Sequence, residues 1–308
     1  MLSRVTMTVL RGFCMGAADV VPGVSGGTVA LVFGIYERLL HNVGLGAKAL
    51  GNIVKGDFAG FRSRFLAIQW VFLLPLAVGV LAAIGLLASV IEGLLRDRPE
   101  EMAGLFFGLV LGSIVVAWGQ LTARANHLAV MLAIGLVAFV LLGFQSGPAV
   151  SPPTLAYLGA GAIAICAMIL PGISGSFLLL MMGMYAAVLG AVHDRNVVDV
   201  GVFALGAVVG LALFSTALNW VLARHKDLLL AGLIGLMIGS LRVLWPWPHG
   251  VGLISEEADE SISGTGLGLP ESGQVALPVL LALVAFAVVV GISRVAERQT
   301  SEPSLARI

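Results

Sequence analysis

Two short stretches decide the fold of this chain: residues 21–27 read VPGVSGG and residues 170–176 read LPGISGS. Each lies inside a long apolar run, Val5–Leu40 in the first case and Thr154–Val192 in the second. Proline removes a backbone donor and clashes with the preceding helical turn, and glycine permits tight turns. Each apolar run is therefore predicted to break near its middle, either as a kinked helix or as a helical hairpin.

The composition places these runs in a membrane. Of the 308 residues, 59% are hydrophobic and 11% are charged, and the mean hydropathy is +1.04. A soluble domain carries roughly 25% charged residues, so this chain has too few to coat a surface that faces water. The 17 basic and 17 acidic residues balance, which gives no basic surface for nucleic acid. Irregular backbone at membrane depth is tolerated only where protein buries it or a cavity receives it.

The two breaks belong to an internal repeat. Pro22 and Pro171 are 149 positions apart, and seven of the fifteen residues from Pro22 to Tyr36 recur at that offset. Further along, residues 108–113 (GLVLGS) match residues 235–240 (GLMIGS) at an offset of 127. The chain is therefore predicted to contain two related halves.

The bounds of the segments follow from their apolar length, since a helix needs about 20 residues to cross the bilayer core. The two halves are residues 1–148 and 149–308. The predicted segments are a hairpin at 5–40 with helices at 65–91, 102–121 and 128–144, and then a hairpin at 154–192 with helices at 198–222, 228–245 and 275–293.

The distribution of lysine and arginine favours hairpins that enter and leave on one side. With cytoplasmic termini, hairpins place 13 basic residues inside and 3 outside, whereas single crossings give about 9 against 7. Three crossings per half then invert the second half relative to the first. The predicted fold is an all-α polytopic membrane protein of two inverted repeats, each with one re-entrant helical hairpin and three transmembrane helices. Alternating-access transporters share this architecture and bind substrate near the midplane.

The hairpin tips are suited to an anion. A tip of small residues exposes backbone N–H groups, and the positive end of a half-helix dipole points at them. Close packing of small residues between helices is the alternative explanation. The candidate substrate-binding residues at the tips are Gly23, Ser25, Gly26, Gly27, Thr28, Gly172, Ser174, Gly175 and Ser176.

Four charged residues extend this hypothesis. Arg242 falls inside the predicted helix 228–245 and either contacts the anion or snorkels to the interface. Arg11, at the start of the first half-helix, is a phosphate ligand or a cytoplasmic anchor. Asp19 is a candidate for proton coupling or for pairing with an arginine. Glu37 is a weaker proton-coupling candidate, because an interfacial ion pair explains it as well.

The sequence also resembles a known family. The residues that carry the resemblance are Arg11–Thr28 (RGFCMGAADVVPGVSGGT), Phe33–Arg38 (FGIYER), Leu170–Ser176 and Gly183–Tyr185 (GMY). They are similar to the signature of the bacterial polyprenyl-phosphate transporters, a family first described as a domain of unknown function. The resemblance implies a multi-pass protein of the bacterial inner membrane. It further implies return of undecaprenyl phosphate from the outer to the cytoplasmic leaflet, where the lipid carrier is recycled for cell-wall synthesis.

Two other functions remain open at this point. A membrane undecaprenyl-diphosphate phosphatase also has inverted repeats and Ser-Gly motifs, but the first tip here has one carboxylate and no histidine, and the second has no arginine. A transporter of a small soluble anion would use the same tips. No catalytic residue, cofactor or metal-ligand spacing is predicted.

Overall fold

The computed structural model describes residues 2–21, 24–122, 124–144, 152–247, 267–271 and 273–301. Within these ranges, the regular secondary structure consists of thirteen α-helices and no strand. The boundary predicted between the two halves, at 145–153, falls mostly outside the described residues. The all-helical fold expected from the composition is confirmed.

The first half contains seven helices, one more than its counterpart. They are α1 (Leu2–Asp19), α2 (Gly26–Val32), α3 (Tyr36–Val54), α4 (Phe58–Ala67), α5 (Trp70–Asp97), α6 (Pro99–Gly119) and α7 (Ala125–Leu141).

The second half repeats this order without an equivalent of α4. Its helices are α8 (Thr154–Ile169), α9 (Gly175–Met181), α10 (Tyr185–His193), α11 (Val197–Arg224), α12 (Lys226–Ser240) and α13 (Ala276–Ser301).

Both apolar runs break at the predicted tips, and each also breaks a second time. Gly34 and Gly183 adopt positive φ angles of 65° and 69° and end the seven-residue helices α2 and α9. Glycine is suited to both positions because a Cβ atom is strained in this region of φ. The axes of α9 and α10 differ by 108°. The predicted end of the first hairpin at Leu40 is wrong, since the chain turns near Gly34 and α3 continues to Val54.

The segment predicted as a loop after residue 40 is largely helical. It contains the rest of α3 and most of α4, which begins where the Asp57 carboxylate accepts a hydrogen bond from the Gly60 amide at 2.8 Å. The predicted start of the next helix at residue 65 is wrong, because α4 continues to Ala67 and α5 begins at Trp70. Lysines and arginines made this segment look like a loop, but charged residues are good helix formers when their side chains reach water.

Among the described residues, four helices are long and apolar enough to cross a membrane, or five if the bent pair α9–α10 counts as one span. The four are α5, α6, α11 and residues 276–294 of α13. Helices α7 and α8 are apolar but shorter, with 17 and 16 residues.

The predicted helix 228–245 is wrong at its end, because α12 stops at Ser240 and a turn follows. Pro246 comes soon after, and proline disfavours helix at the residue before it.

Corresponding helices pack in corresponding pairs in the two halves. Helix α1 packs on α5 as α8 packs on α11, and α6 packs on α13 as α12 packs on α7. Glycines allow the closest approaches: Gly12 lies against the Leu76 backbone, and Gly161, 149 positions later, lies against the Phe203 backbone. The repeat thus extends from sequence to packing, while the inverted orientation of the halves in the bilayer stays a prediction.

We expect Gly206→Ala to destabilise the protein. A Cβ atom at this position of α11 would overlap the Leu158 carbonyl of α8, and overpacking of this kind costs about 1–3 kcal/mol. Gly201→Ala in the same helix is the control, because no atom lies within 4 Å of its Cβ position. Thermal unfolding of the purified variants in detergent measures the difference. Equal melting temperatures would contradict this packing.

Candidate functional site: the junction of two hairpin tips

The tips of the two broken segments touch each other. The Gly172 amide of the second tip donates a hydrogen bond to Thr28 Oγ1 at 2.8 Å, and Ser25 Oγ donates to the Met168 carbonyl at 3.3 Å. Ser25 and Thr28 are fully buried. The expectation that the two tips meet is confirmed. Sequence reasoning had singled out both hydroxyls, but it had missed the Met168 carbonyl as a partner.

The first tip carries a carboxylate at the start of α2. Asp19, the last residue of α1, accepts a hydrogen bond from the Gly26 amide at its Oδ1 atom, 2.6 Å away. Ser25 Oγ accepts from the Gly27 amide at 3.0 Å. The expectation that these two amides lack acceptors is therefore wrong for this state of the protein. Glycine is required at position 26, because a Cβ atom there would overlap the Asp19 carboxylate.

The second tip has no equivalent carboxylate. Met168 occupies the position that corresponds to Asp19, and no side chain caps the start of α9. The hydroxyls of Ser174 and Ser176 lie 2.7 Å apart, with Ser174 buried and Ser176 exposed. Gly172 has a positive φ of 91°. Each tip thus leads into a seven-residue helix, but only the first tip carries a carboxylate.

Two further tip residues complete the set of sequence candidates. Gly175 is buried, and a Cβ atom there would meet the Ala164 carbonyl, so this glycine serves close packing of α9 on α8. Gly23 lies outside the described residues, as does Pro22. The alternative of tight packing therefore accounts for part of the glycine content of the tips.

Arg242 lies just beyond α12 and not inside a helix as predicted. Its guanidinium donates to the Phe139 carbonyl at 3.3 Å and lies 4.8 Å from the centre of the Phe139 ring. Gly143 leaves room for the same guanidinium, because a Cβ atom there would overlap it. A cation at this place stabilises the C-terminal end of α7. Contact of Arg242 with an anion stays a prediction.

Arg11 lies in the middle of α1, since the helix begins at Leu2 and not at the start predicted for the half-helix. Its guanidinium carbon lies 6.0 Å from the centre of the Phe33 ring, at the second break of the hairpin. Glu37 pairs with Lys226 Nζ at 2.7 Å. Sequence reasoning had placed Glu37 in an ion pair but had not identified Lys226.

We expect Thr28→Val to weaken the junction of the tips. Valine keeps the shape of threonine and removes the acceptor for the Gly172 amide, and a buried amide without a partner costs about 1–3 kcal/mol. Thr216→Val is the matched control, because that hydroxyl is exposed and bonds to the Ala212 carbonyl of its own helix. Thermal unfolding in detergent compares the two. A loss of stability no greater than that of the control would contradict the role of this hydrogen bond.

The comparisons with known proteins agree with the resemblance in the sequence. The VCA0040-like family, described as undecaprenyl phosphate translocase-like, matches residues 15–262. A polyprenyl-phosphate transporter of Vibrio cholerae is 37% identical over 300 residues, which cover 94% of this chain and 97% of that protein. A polyprenyl-phosphate transporter of Staphylococcus aureus is 30% identical over 258 residues, covering 78% and 86%. No solved structure matches the chain. With the apolar helices that surround the two tips, these matches show that the chain belongs to the undecaprenyl phosphate translocase-like family of membrane proteins.

Proposed function

We propose that this protein carries undecaprenyl phosphate from the outer to the cytoplasmic leaflet by proton-coupled alternating access. The family and the printed names of the two relatives support a polyprenyl phosphate as the substrate. The direction and the coupling are our inference from the tips. Recycling of the lipid carrier for cell-wall synthesis is the biological role that this direction would serve.

One observation carries the proposal: the Asp19 carboxylate occupies the Gly26 amide at the junction of the two tips. A negative oxygen is therefore already accommodated at the place where both halves of the chain contribute backbone and hydroxyl groups. A phosphate oxygen has the same charge and takes the same kind of hydrogen bond. Two such anions repel strongly in a medium of low dielectric constant, so ionised Asp19 and phosphate exclude each other from this amide.

This exclusion supplies a mechanism for proton coupling. When Asp19 binds a proton, its side chain becomes neutral and the Gly26 amide becomes available to the phosphate. The phosphate and the proton then move together. On the cytoplasmic side, loss of the proton restores the carboxylate, which displaces the phosphate from the amide. An acidic exterior thus drives the headgroup inward.

The hydrophobic tail needs no binding site of its own in this proposal. The outer faces of α5, α11 and α13 carry exposed apolar side chains along their length. A polyprenyl chain can remain in contact with these faces and with lipid while the phosphate crosses between the tips. Ser25, Thr28, Ser174 and Ser176 would supply hydroxyl donors, and Arg11 and Arg242 are the candidate cationic partners.

Asp19→Asn tests the coupling. The asparagine amide oxygen can still accept from Gly26, but the side chain no longer titrates. We expect transport of undecaprenyl phosphate in proteoliposomes to lose its stimulation by a pH gradient. The measurement compares initial rates with and without an acidic exterior, for the native protein and the variant. A variant that keeps the stimulation would show that Asp19 is not the coupling group.

Paired substitution of Ser25→Ala and Ser174→Ala tests the binding role of the tips. Loss of a hydrogen bond to a charged group weakens binding by about 1.5–3 kcal/mol, so we expect the initial rate at low substrate to fall by roughly 10- to 100-fold. Ser113→Ala is the control, since Ser113 is buried and its hydroxyl bonds to the Leu109 carbonyl of its own helix. Normal transport by the folded double variant would count against the tips as the substrate site.

The same proteoliposomes distinguish the two alternative functions. Release of phosphate from undecaprenyl diphosphate would identify a phosphatase. Uptake of inorganic phosphate without dependence on a polyprenyl lipid would identify a transporter of a soluble anion.

A further inference from the structure

A cavity of about 390 Å³ lies where the first hairpin meets α6 and α12, away from the junction of the tips. This volume lies within the range of small-molecule sites, roughly 300–1,000 Å³. Four residues that carry polar groups line one part of the wall: Tyr36, Glu37, Arg38 and Gln120. Five leucines and Gly34 form the rest. The cavity therefore combines an apolar wall with a small group of polar side chains, as binding sites for amphipathic ligands do.

The polar part of the wall involves two cations, Arg38 itself and Lys226 of α12, which pairs with Glu37. Lys226 Nζ pairs with Glu37 at 2.7 Å, and both side chains are more than half exposed. Arg38 Nε donates to Gln69 Oε1 at 2.6 Å, and its guanidinium lies 4.1 Å from the centre of the Phe72 ring. These contacts fix the plane of the guanidinium and leave both Nη groups of Arg38 without an acceptor among the described residues. Two cations against one carboxylate leave an excess of positive charge.

Tyr36 adds a second, independent observation. Its side chain is 3% exposed, and the buried hydroxyl has no hydrogen-bond partner in the described part of the chain. A buried hydroxyl without a partner is unfavourable, so another state of the protein is expected to satisfy it. A small shift of Tyr36, which lines the cavity, would present this hydroxyl to a ligand beside Arg38.

The positions of the second half that correspond to Glu37 and Arg38, the two charged residues that line the cavity, carry no charge. At the offset of 149, Tyr185 corresponds to Tyr36, but two alanines follow it where Glu37 and Arg38 stand in the first half. At the offset of 127, Trp247 corresponds to Gln120. The polar wall of this cavity is therefore particular to the first copy of the hairpin.

We infer that this cavity is a second docking site for a phosphate monoester, held by Arg38 and Lys226 with hydrogen bonds from Tyr36 and Gln120. Glu37 holds Lys226 while the site is empty, and the phosphate replaces Glu37 when it binds. Arginine and lysine together suit a phosphate, since the guanidinium binds two oxygens and the ammonium group neutralises the remaining charge. The inference rests on the proposed function, to which it adds a second site where the headgroup waits before or after it passes the tips.

The test measures binding of farnesyl phosphate to the full-length protein in detergent, by isothermal titration calorimetry. We expect Lys226→Met to raise the Kd about tenfold or more, since it removes a charge-assisted hydrogen bond. Glu37→Gln is expected to lower the Kd, because Lys226 is then free to meet the phosphate. Tyr36→Phe is expected to raise the Kd. The opposite signs at positions 37 and 226 separate a binding site from general loss of structure.

Arg96→Met is the matched control. Arg96 pairs with Glu92 at 3.6 Å at the end of α5, and its side chain is 65% exposed. This variant removes the same charge from another exposed ion pair and leaves the cavity intact, so its Kd should equal that of the native protein. An unchanged Kd in both Lys226→Met and Glu37→Gln would overturn the inference.

Competition identifies the source of the phosphate group. Farnesyl phosphate that binds far more tightly than inorganic phosphate and farnesol assigns the site to a lipid headgroup. Inorganic phosphate that competes equally assigns it to free phosphate. If the native protein does not transport the lipid, the proposed function is wrong, but the Kd shifts of the variants are still expected. If transport depends on Ser25 and Ser174 but the Kd for farnesyl phosphate does not change in the Lys226 and Glu37 variants, this inference alone is wrong.

Discussion

The hydrogen bond from the Gly172 amide to the Thr28 hydroxyl joins the two tips and gives a backbone amide of the second half its partner in the first half. Backbone groups outside a helix need partners wherever lipid replaces water, and each unsatisfied group is unfavourable. Thr28 of the first tip accepts the hydrogen bond of the Gly172 amide, and the Met168 carbonyl beside the second tip accepts a hydrogen bond from Ser25 of the first. Each tip therefore stabilises the irregular backbone of the other.

The packing of the long helices shows which parts can move together. Helices α1 and α5 pack within the first half, and α8 and α11 pack within the second, whereas α6–α13 and α7–α12 join one half to the other. In both kinds of pair, glycines let the backbones approach closely. A motion that separated the sequence halves as rigid bodies would break the second kind of contact. The proposed cycle is easier if each hairpin moves with its own long helix against the four helices α6, α7, α12 and α13.

The duplicated scaffold carries unequal charges. Asp19 occupies the amide at the first tip, while Met168 stands at the corresponding place in the second half. Glu37 and Arg38, which line the cavity in the first half, likewise have uncharged counterparts in the second half. If the two halves are inverted in the bilayer as predicted, a charge present in one copy makes the two orientations of the carrier unequal for an anion and a proton. In the proposed function, the titratable Asp19 couples the phosphate to a proton, and the pH gradient sets the direction of transport.

The sequence by itself determined the class of protein, the breaks at the two tips and the correspondence between halves, because composition, proline–glycine motifs and internal identity can be read without knowing which residues are in contact. It also indicated that the tips meet. It did not predict the second breaks, at Gly34 and Gly183. Only the tertiary structure decided that Asp19 caps α2, that Glu37 pairs with Lys226, and that Arg242 binds the end of α7. The last two join residues far apart in the chain, and the first depends on the path of the tip between Asp19 and Gly26. The partner of each charged side chain depends on how one helix is rotated against another. That rotation cannot be derived from a pattern of residue types.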